Sequence, residues 1–163
     1  MVSIRPAARN DVPLILQFIR ELAEYERAPE AAMATEADLW RDGFTDSGED
    51  KFRVLIAEDG GEPAGFAFFF YNYSTWLGRP GIYLEDLFVR PAFRGRGIGK
   101  KLLGRIAQIA LDDNCYGVRW EVLDWNTPAM EFYEARGAGC RKEWLTFQVK
   151  GDALRRLAES SEK

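Results

Sequence analysis

A hydrophobic stretch that runs into a glycine-rich turn and then into a helix constrains this chain more than any other feature. The strand-like residues IYLEDLFV (82–89) precede FRGRGIGKK (93–101), which has glycines at three alternate positions and four cations. The helix-like residues LLGRIAQIAL (102–111) follow. A glycine-rich turn at a helix start exposes backbone N–H groups to a ligand, and the helix dipole favours negative charge there. The pattern therefore predicts an anion site.

Two well-known phosphate loops do not fit this stretch. A Walker A loop needs glycine where Arg94 stands and a serine or threonine where Lys101 stands. A Rossmann loop needs G-x-G-x-x-G, whereas Gly95, Gly97 and Gly99 give G-x-G-x-G. A helix start without a ligand is disfavoured, because each glycine lowers helix propensity by about 1 kcal/mol against alanine. A pyrophosphate held by backbone N–H groups is the remaining interpretation.

The rest of the sequence predicts one domain over residues 1–163, of the α/β (α+β) class. Hydrophobic periodicity gives the element order β-α-α-β-β-β-α-β-α-β-α, which indicates a mixed sheet with helices packed on it. The last two predicted strands are VRWEVL (118–123) and EWLTFQV (143–149), and a short helix over 151–160 follows them.

Composition excludes several function classes. A net charge of −4 and a pI of about 5.1 argue against nucleic acid as a partner, and no apolar run is long enough to cross a membrane. The chain has no histidine, which excludes Ser–His and Cys–His catalysis and histidine-ligated zinc. Cys115 and Cys140 have no metal-like spacing, so we expect reduced thiols, no metal and a cytoplasmic protein.

Specific motifs extend these observations to a family. Residues 94–99 match [QR]-x-x-G-x-[GA], so the turn resembles the pyrophosphate loop of the GNAT family of N-acetyltransferases. Further stretches are similar to its diamine (spermidine/spermine) acetyltransferase subfamily, across roughly residues 4–158: ELAEYE (21–26), YSTWLG (73–78), YLEDLFV (83–89), VLDWN (122–126) and EFYEARGA (131–138). YSTW and LDWN look most like the branch that acetylates thialysine, and Ser74 stands where the polyamine enzyme has an acidic residue.

The resemblance implies a fold and an activity. The fold would be a mixed, mostly antiparallel twisted sheet of about six to seven strands, flanked by helices. The activity would be acetyl transfer from acetyl-CoA to a primary amine of a small diamine, polyamine or lysine-like substrate, in a homodimer. A protein or peptide acceptor, or a CoA-binding module without catalysis, stays open as an alternative.

The same resemblance assigns roles to residues. Tyr133 would be the general acid to the CoA thiolate, and Glu85 would gather the amine or deprotonate it through a water. Neighbouring strand residues face opposite ways, so a β-bulge of this fold would have to re-aim Glu85 or Asp86. The implied cofactor-binding residues are Leu87, Phe88, Val89, Arg94, Gly95, Arg96, Gly97, Ile98, Gly99, Lys100 and Asn126, and the implied substrate-binding residues are Tyr25, Glu26, Trp76, Asp86 and Trp144.

Simpler roles remain open for some of these residues. Asn126 could be no more than the cap of the helix that follows it, and Glu26 a solvated helix end. Trp76 and Trp144 could pack in the core instead of lining an amine channel.

Overall fold

The computed structural model describes residues 1–160, which form two compact units. The first unit, Met1–Glu121, contains β1 (Val2–Pro6), α1 (Val12–Tyr25), α2 (Glu36–Gly43), β2 (Arg53–Asp59), β3 (Glu62–Ser74), β4 (Arg79–Val89), α3 (Ile98–Asp112) and β5 (Val118–Arg119). The second unit begins at Val122 and contains α4 (Thr127–Glu134) and α5 (Gly151–Glu159). The single domain over 1–163 stays a prediction.

One five-stranded sheet in the order β1-β2-β3-β4-β5 organises the first unit. The first four strands are antiparallel neighbours, whereas β5 runs parallel to β4. The predicted mixed, mostly antiparallel sheet is therefore confirmed, with five strands instead of six to seven. Within residues 1–160, no helix is both long and apolar enough to cross a bilayer.

Of the two strand predictions in the C-terminal part of the chain, one is confirmed only at its first two residues and the other is wrong. The stretch 118–123 is paired only at Val118 and Arg119, and the stretch 143–149 contains neither strand nor helix. Alternating apolar residues show that a segment suits a pleated surface, but a strand forms only when a neighbour supplies hydrogen bonds. Phe147, in the second stretch, is 92% exposed, so this stretch does not bury an apolar strand face either.

The sheet separates two apolar layers, because neighbouring strand residues point to opposite faces. On β3, Phe66 packs with α1 residues such as Phe18, while Ala67 and Phe69 pack on the other face. One layer joins the sheet to α1 and α2 through Val12, Ile15, Leu16, Phe18, Leu22, Leu39, Phe52, Val54, Phe66 and Phe88. The other layer joins it to α3 through Leu55, Ala57, Ala64, Ala67, Phe69, Ile82, Leu84, Ile98, Leu102, Ile106 and Ala110.

A close approach between β3 and β4 fixes the end of β4 from which the glycine turn leaves. Gly65 lies opposite Val89 in the strand register. A Cβ atom at Gly65 would overlap the Phe88 carbonyl oxygen and lie 3.1 Å from the Val89 Cα. Only a residue without a side chain allows these backbones to meet at this distance.

We predict that Gly65→Ala lowers the free energy of unfolding by about 1–3 kcal/mol, because the added methyl forces β3 and β4 apart. Urea denaturation followed by circular dichroism measures the change. Gly104→Ala is the matched control, since Gly104 is exposed within α3 and an added Cβ meets no atom within 4 Å. The control should stabilise the protein by about 0.5–1 kcal/mol. Equal effects of the two substitutions would contradict the prediction.

Candidate active site

The glycine turn connects β4 to α3 and leads directly into the N-terminus of this helix. A short 3₁₀ turn, Pro91–Phe93, follows β4, and α3 begins at Ile98 after Gly97. Gly95 and Gly97 have φ angles of 77° and 78°, in the left-handed region that favours glycine. Their glycine identity is therefore a backbone requirement, which also removes side chains from the path of a ligand.

Six consecutive backbone N–H groups, from Gly95 to Lys100, have no hydrogen-bond acceptor among residues 1–160. The first bond of the helix is donated by the Lys101 N–H to the Gly97 carbonyl, at 3.0 Å. N–H groups at a helix start have no intrahelical partner, and the helix dipole adds partial positive charge. The turn therefore has the donor set that a pyrophosphate requires.

Cations of the turn differ in how far the protein already neutralises them. Arg96 donates to Asp59 at 3.0 Å and to the Ala92 carbonyl at 3.1 Å. Arg94 donates only its Nε–H, to the Val89 carbonyl at 2.9 Å, and its terminal nitrogens have no acceptor among the described residues. Lys100 is exposed in the first turn of α3. Arg94 and Lys100 are thus the better placed to meet an anion.

One edge of β4 is open beside this turn. β5 pairs with β4 only at Ile82 and Tyr83, so residues 84–89 have no strand neighbour on that side within the part of the chain described. The predicted cofactor contacts Leu87, Phe88 and Val89 lie on this open stretch. An unpaired strand edge can bind a ligand with amide groups as an added strand would.

A β-bulge resolves the problem of two adjacent carboxylates on an apolar strand. In the β3–β4 register, Asp86 lies opposite Phe68 and Leu84 opposite Phe69, so Glu85 is the extra residue with no partner. Leu84 accordingly packs in the α3 layer. The bulge that the resemblance implied is confirmed, and it keeps Glu85 exposed while Asp86 is partly buried.

Four carboxylates, Glu26, Glu85, Asp86 and Glu121, form an acidic cluster around this bulge. Burial raises the pKa of Asp86 to about 7, with further contributions from the charges of Glu85 and Glu26. Burial and the charge of Glu121 raise the pKa of Glu85, and burial raises the pKa of Glu26. Such mutual repulsion lowers the cost of binding a cation.

Glu121 was missed by sequence reasoning. It lies two residues after Arg119, which pairs with Tyr83, and Glu85 lies two residues after Tyr83. Had the parallel register of β4 and β5 been known, the same spacing would have brought Glu121 beside Glu85. Sequence alone does not give the register between two strands that are far apart in the chain.

A bidentate ion pair anchors the end of β4 to α1. Arg90 donates to both carboxylate oxygens of Glu21 at 2.8 Å and to the Pro63 carbonyl at 2.9 Å. Its guanidinium carbon also lies 4.6 Å from the centroid of the Phe18 ring. Arg90 thus fixes the point at which the turn leaves the sheet, a role that the sequence pattern did not indicate.

The predicted aromatic contacts Trp76 and Trp144 are both exposed. Trp76 lies in the turn between β3 and β4 with 88% of its surface accessible, and Trp144 is 60% exposed with the Arg141 guanidinium 5.1 Å from its ring centroid. Packing in the core is therefore excluded for both residues, while contact with an amine stays a prediction.

The remaining predicted site residues lie on α4 in the second unit. Asn126 is buried and caps α4, with its side-chain oxygen accepting from the Ala129 N–H at 3.4 Å. Tyr133 is half-buried and makes an edge contact with Phe132, with ring centroids 5.2 Å apart. The capping role of Asn126 is confirmed, and contact with the pantetheine arm stays a prediction.

Cys115 and Cys140 are free thiols. Within residues 1–160, no group of three or more His, Cys, Asp or Glu side chains is arranged to hold a metal ion.

Comparison with known proteins identifies the family of this chain. The model of the acetyltransferase (GNAT) family matches residues 16–157. The chain belongs to the GNAT family. As a GNAT protein, it is an N-acetyltransferase with acetyl-CoA as the acetyl donor.

Curated relatives align with nearly the whole length of this GNAT protein. Thialysine N-epsilon-acetyltransferase of Bos taurus is 44% identical over 169 residues, covering 96% of this chain and 97% of that protein. L-ornithine N5-acetyltransferase NATA1 of Arabidopsis thaliana is 31% identical, covering 94% and 86%. Spermidine/spermine N(1)-acetyltransferase-like protein 1 of Homo sapiens is 38% identical over 95% of this chain but only 23% of that longer protein.

Solved structures show the same fold. An integron cassette protein from the mobile metagenome of V. cholerae has a TM-score of 0.80 at 27% identity, covering 97% of this chain and 98% of its own. An aminoglycoside acetyltransferase from an uncultured soil metagenomic sample has a TM-score of 0.76 at 20% identity, covering 91% and 95%. At 20% identity the second likeness concerns the fold alone.

The acidic cluster generates a prediction about stability and pH. Because the pKa of Asp86 rises on folding from about 4 to about 7, the folded state binds more protons than the unfolded state between these values. The contribution of Asp86 to the free energy of unfolding is fully present below about pH 4, where the carboxyl is protonated in both states. It is lost as the pH rises to about 7. In the wild type, the free energy of unfolding should therefore decline by at most about 4 kcal/mol over this pH range because of Asp86. Asp86→Asn should remove this decline, so the variant should be more stable than the wild type above pH 7.

Urea denaturation from pH 4 to pH 8 measures the difference between variant and wild type. Asp46→Asn is the control, because Asp46 is an exposed carboxylate paired with Arg9 at the surface. A surface pair contributes at most about 1 kcal/mol, so its difference curve should be nearly flat. A flat curve for Asp86→Asn as well would contradict the raised pKa.

Proposed function

We propose that this protein acetylates the terminal primary amine of a small lysine-like molecule of the thialysine type. The relatives in Bos taurus, Sus scrofa and Mus musculus that are named for thialysine are 44%, 43% and 40% identical over nearly the whole chain. Their similarity carries the choice of substrate class, and the acidic cluster gives it a physical basis. The relative named for L-ornithine also acts on an amino acid with a terminal amine.

The acidic cluster suits a cationic acceptor. A primary alkylamine has a pKa near 10.4, so at neutral pH it arrives protonated. Glu85 and Asp86 lie on β4 beside its open edge, and Glu26 and Glu121 add negative charge. Each carboxylate already repels its neighbours, so an ammonium group relieves this repulsion when it binds. Trp76 and Trp144 are the proposed aromatic contacts of the same amine.

Acetyl-CoA is the proposed second ligand of the site. The N–H groups from Gly95 to Lys100 and the Arg94 side chain would hold its pyrophosphate, and the open edge of β4 would pair with its pantetheine amides. Asn126 is the proposed further contact of the pantetheine arm.

The proposed reaction is a direct transfer within a ternary complex. Glu85 accepts a proton from the ammonium through a water, and the neutral amine nitrogen then attacks the acetyl carbonyl carbon. The carbon–sulfur bond breaks as the new carbon–nitrogen bond is completed. The CoA thiolate takes the phenolic proton of Tyr133, a role that a hydroxyl donor of this type can perform. The Tyr133 oxygen then takes, through a water, the second proton that the acetylated nitrogen must lose. The products are the N-acetylated amine and CoA.

Tyr133→Phe tests the general acid. We expect kcat to fall by about 10²-fold, because the departing thiolate loses its proton donor. The Kd of CoA should stay within about twofold of wild type, as the ring is retained. Phe132→Leu is a control on the same helix that leaves the hydroxyl in place. An unchanged kcat in Tyr133→Phe would remove Tyr133 from the mechanism.

A panel of acceptors tests the substrate class. We expect kcat/KM for thialysine to exceed that for spermidine by about tenfold or more, because Ser74 offers no carboxylate to a distant second ammonium. Ser74→Asp should raise kcat/KM for spermidine relative to thialysine. Aspartate can keep the bond that the Ser74 oxygen accepts from the Leu77 N–H at 3.2 Å, so the β3–β4 turn should persist.

Steady-state rates distinguish a free-amine acceptor from a protein acceptor. They are measured with acetyl-CoA on thialysine, lysine, ornithine, putrescine, spermidine and a lysine peptide. Highest kcat/KM on the peptide would favour a protein acceptor. Absence of acetylation on every free amine would overturn the proposed function. The homodimer and the cytoplasmic location stay predictions that sedimentation and cell fractionation can check.

A further inference from the structure

The end of α1 contacts the arginine of the glycine turn. The Arg94 guanidinium carbon lies 4.7 Å from the centroid of the Tyr25 ring and 5.9 Å from that of Phe88. The Nε–H of the same side chain donates to the Val89 carbonyl at 2.9 Å. Two aromatic rings and one carbonyl therefore hold an otherwise exposed arginine.

These contacts restrict the guanidinium without using its terminal N–H groups. Neither terminal nitrogen of Arg94 has a hydrogen-bond acceptor in residues 1–160. A free arginine side chain loses much rotamer freedom when it binds an anion, and a side chain held in advance loses less. The ring of Tyr25 thus prepares Arg94 to meet a phosphate with the donors that remain.

We propose that Tyr25 is a positioning residue for the pyrophosphate site, acting through Arg94, and not an amine contact as the family resemblance implied. The inference rests on the proposed binding of acetyl-CoA at the glycine turn. Tyr25 would affect binding of the acetyl donor, although it belongs to the helix whose next residue, Glu26, joins the acidic cluster. Adjacent residues at the end of α1 would then serve different substrates.

The geometry gives Tyr25 and Glu26 separable effects. The ring of Tyr25 lies against Arg94, whereas the charge of Glu26 acts on Asp86. A change at Tyr25 should therefore alter the Kd of CoA, and Glu26→Gln should alter the KM of the amine. A purely structural role of the helix end would affect both constants in both variants.

A double-mutant cycle tests the inference by isothermal titration with CoA. Cation–π contacts correspond to about 2- to 30-fold in an equilibrium constant. Tyr25→Leu should raise the Kd of CoA by about fivefold or more, while Tyr25→Phe, which keeps the ring, should change it by less than about twofold. In an Arg94→Ala background, Tyr25→Leu should change the Kd by less than about twofold, since the contact is already lost.

Amine KM at saturating acetyl-CoA provides the second readout and should stay within about twofold in Tyr25→Leu. Tyr25→Met, which keeps apolar volume without a ring, replaces Tyr25→Leu in the cycle if the leucine variant does not fold. An unchanged CoA Kd with a raised amine KM would overturn the inference and return Tyr25 to the amine side. Additive effects of the Tyr25 and Arg94 substitutions would also overturn it.

The two proposals fail in different ways. If the wild-type protein bound no CoA, the proposed function itself would fail. If the wild type bound CoA and acetylated amines while Tyr25→Leu left the Kd unchanged, only the role of Tyr25 would fail.

Discussion

The hydrogen-bond register between β3 and β4 is the constraint on which the rest of the site depends. At its centre the register skips Glu85, so Asp86 and Leu84 face consecutive partners on β3. The skip keeps apolar side chains in the core on both faces, leaves Glu85 exposed and leaves Asp86 partly buried. At its end, Gly65 lets β3 lie against the backbone of Phe88 and Val89, which fixes the origin of the glycine turn. One strand thus positions both the acidic cluster and the glycine turn.

Two arginines join this strand to α1 in chemically different ways. Arg90 forms a bidentate ion pair with Glu21, a contact that fixes direction as well as distance. Arg94 lies against the aromatic ring of Tyr25 and keeps its terminal donors unused within the described residues. The Arg90 ion pair fixes β4 to α1, and the Arg94 contact leaves a positive charge accessible beside the N–H groups of the turn. The helix, the strand and the loop therefore form one connected frame in the first unit.

Sequence reasoning succeeded where local patterns were sufficient. The glycines at 95 and 97 were identified by spacing, and their positive φ angles explain why glycine is favoured at those positions. It failed at residues 143–149, where alternating apolar residues suggested a strand that has no pairing partner in residues 1–160. It also missed Glu121, whose relevance depends on the alignment of β5 with β4. Both failures concern contacts between segments that are distant in the chain.

The sequence alone indicated the glycine turn as an anion site and gave the pair of carboxylates on β4, because a glycine spacing and a charge pattern are local properties of the chain. Its resemblance to the GNAT family implied the acetyl donor. Only the tertiary structure decided which carboxylate is exposed and which is partly buried with a pKa near 7. It also decided that Tyr25 lies against Arg94. The physical reason is that pKa values and side-chain contacts depend on burial and on neighbours from other strands and helices. Those neighbours are set by strand register and packing, which a single sequence does not display.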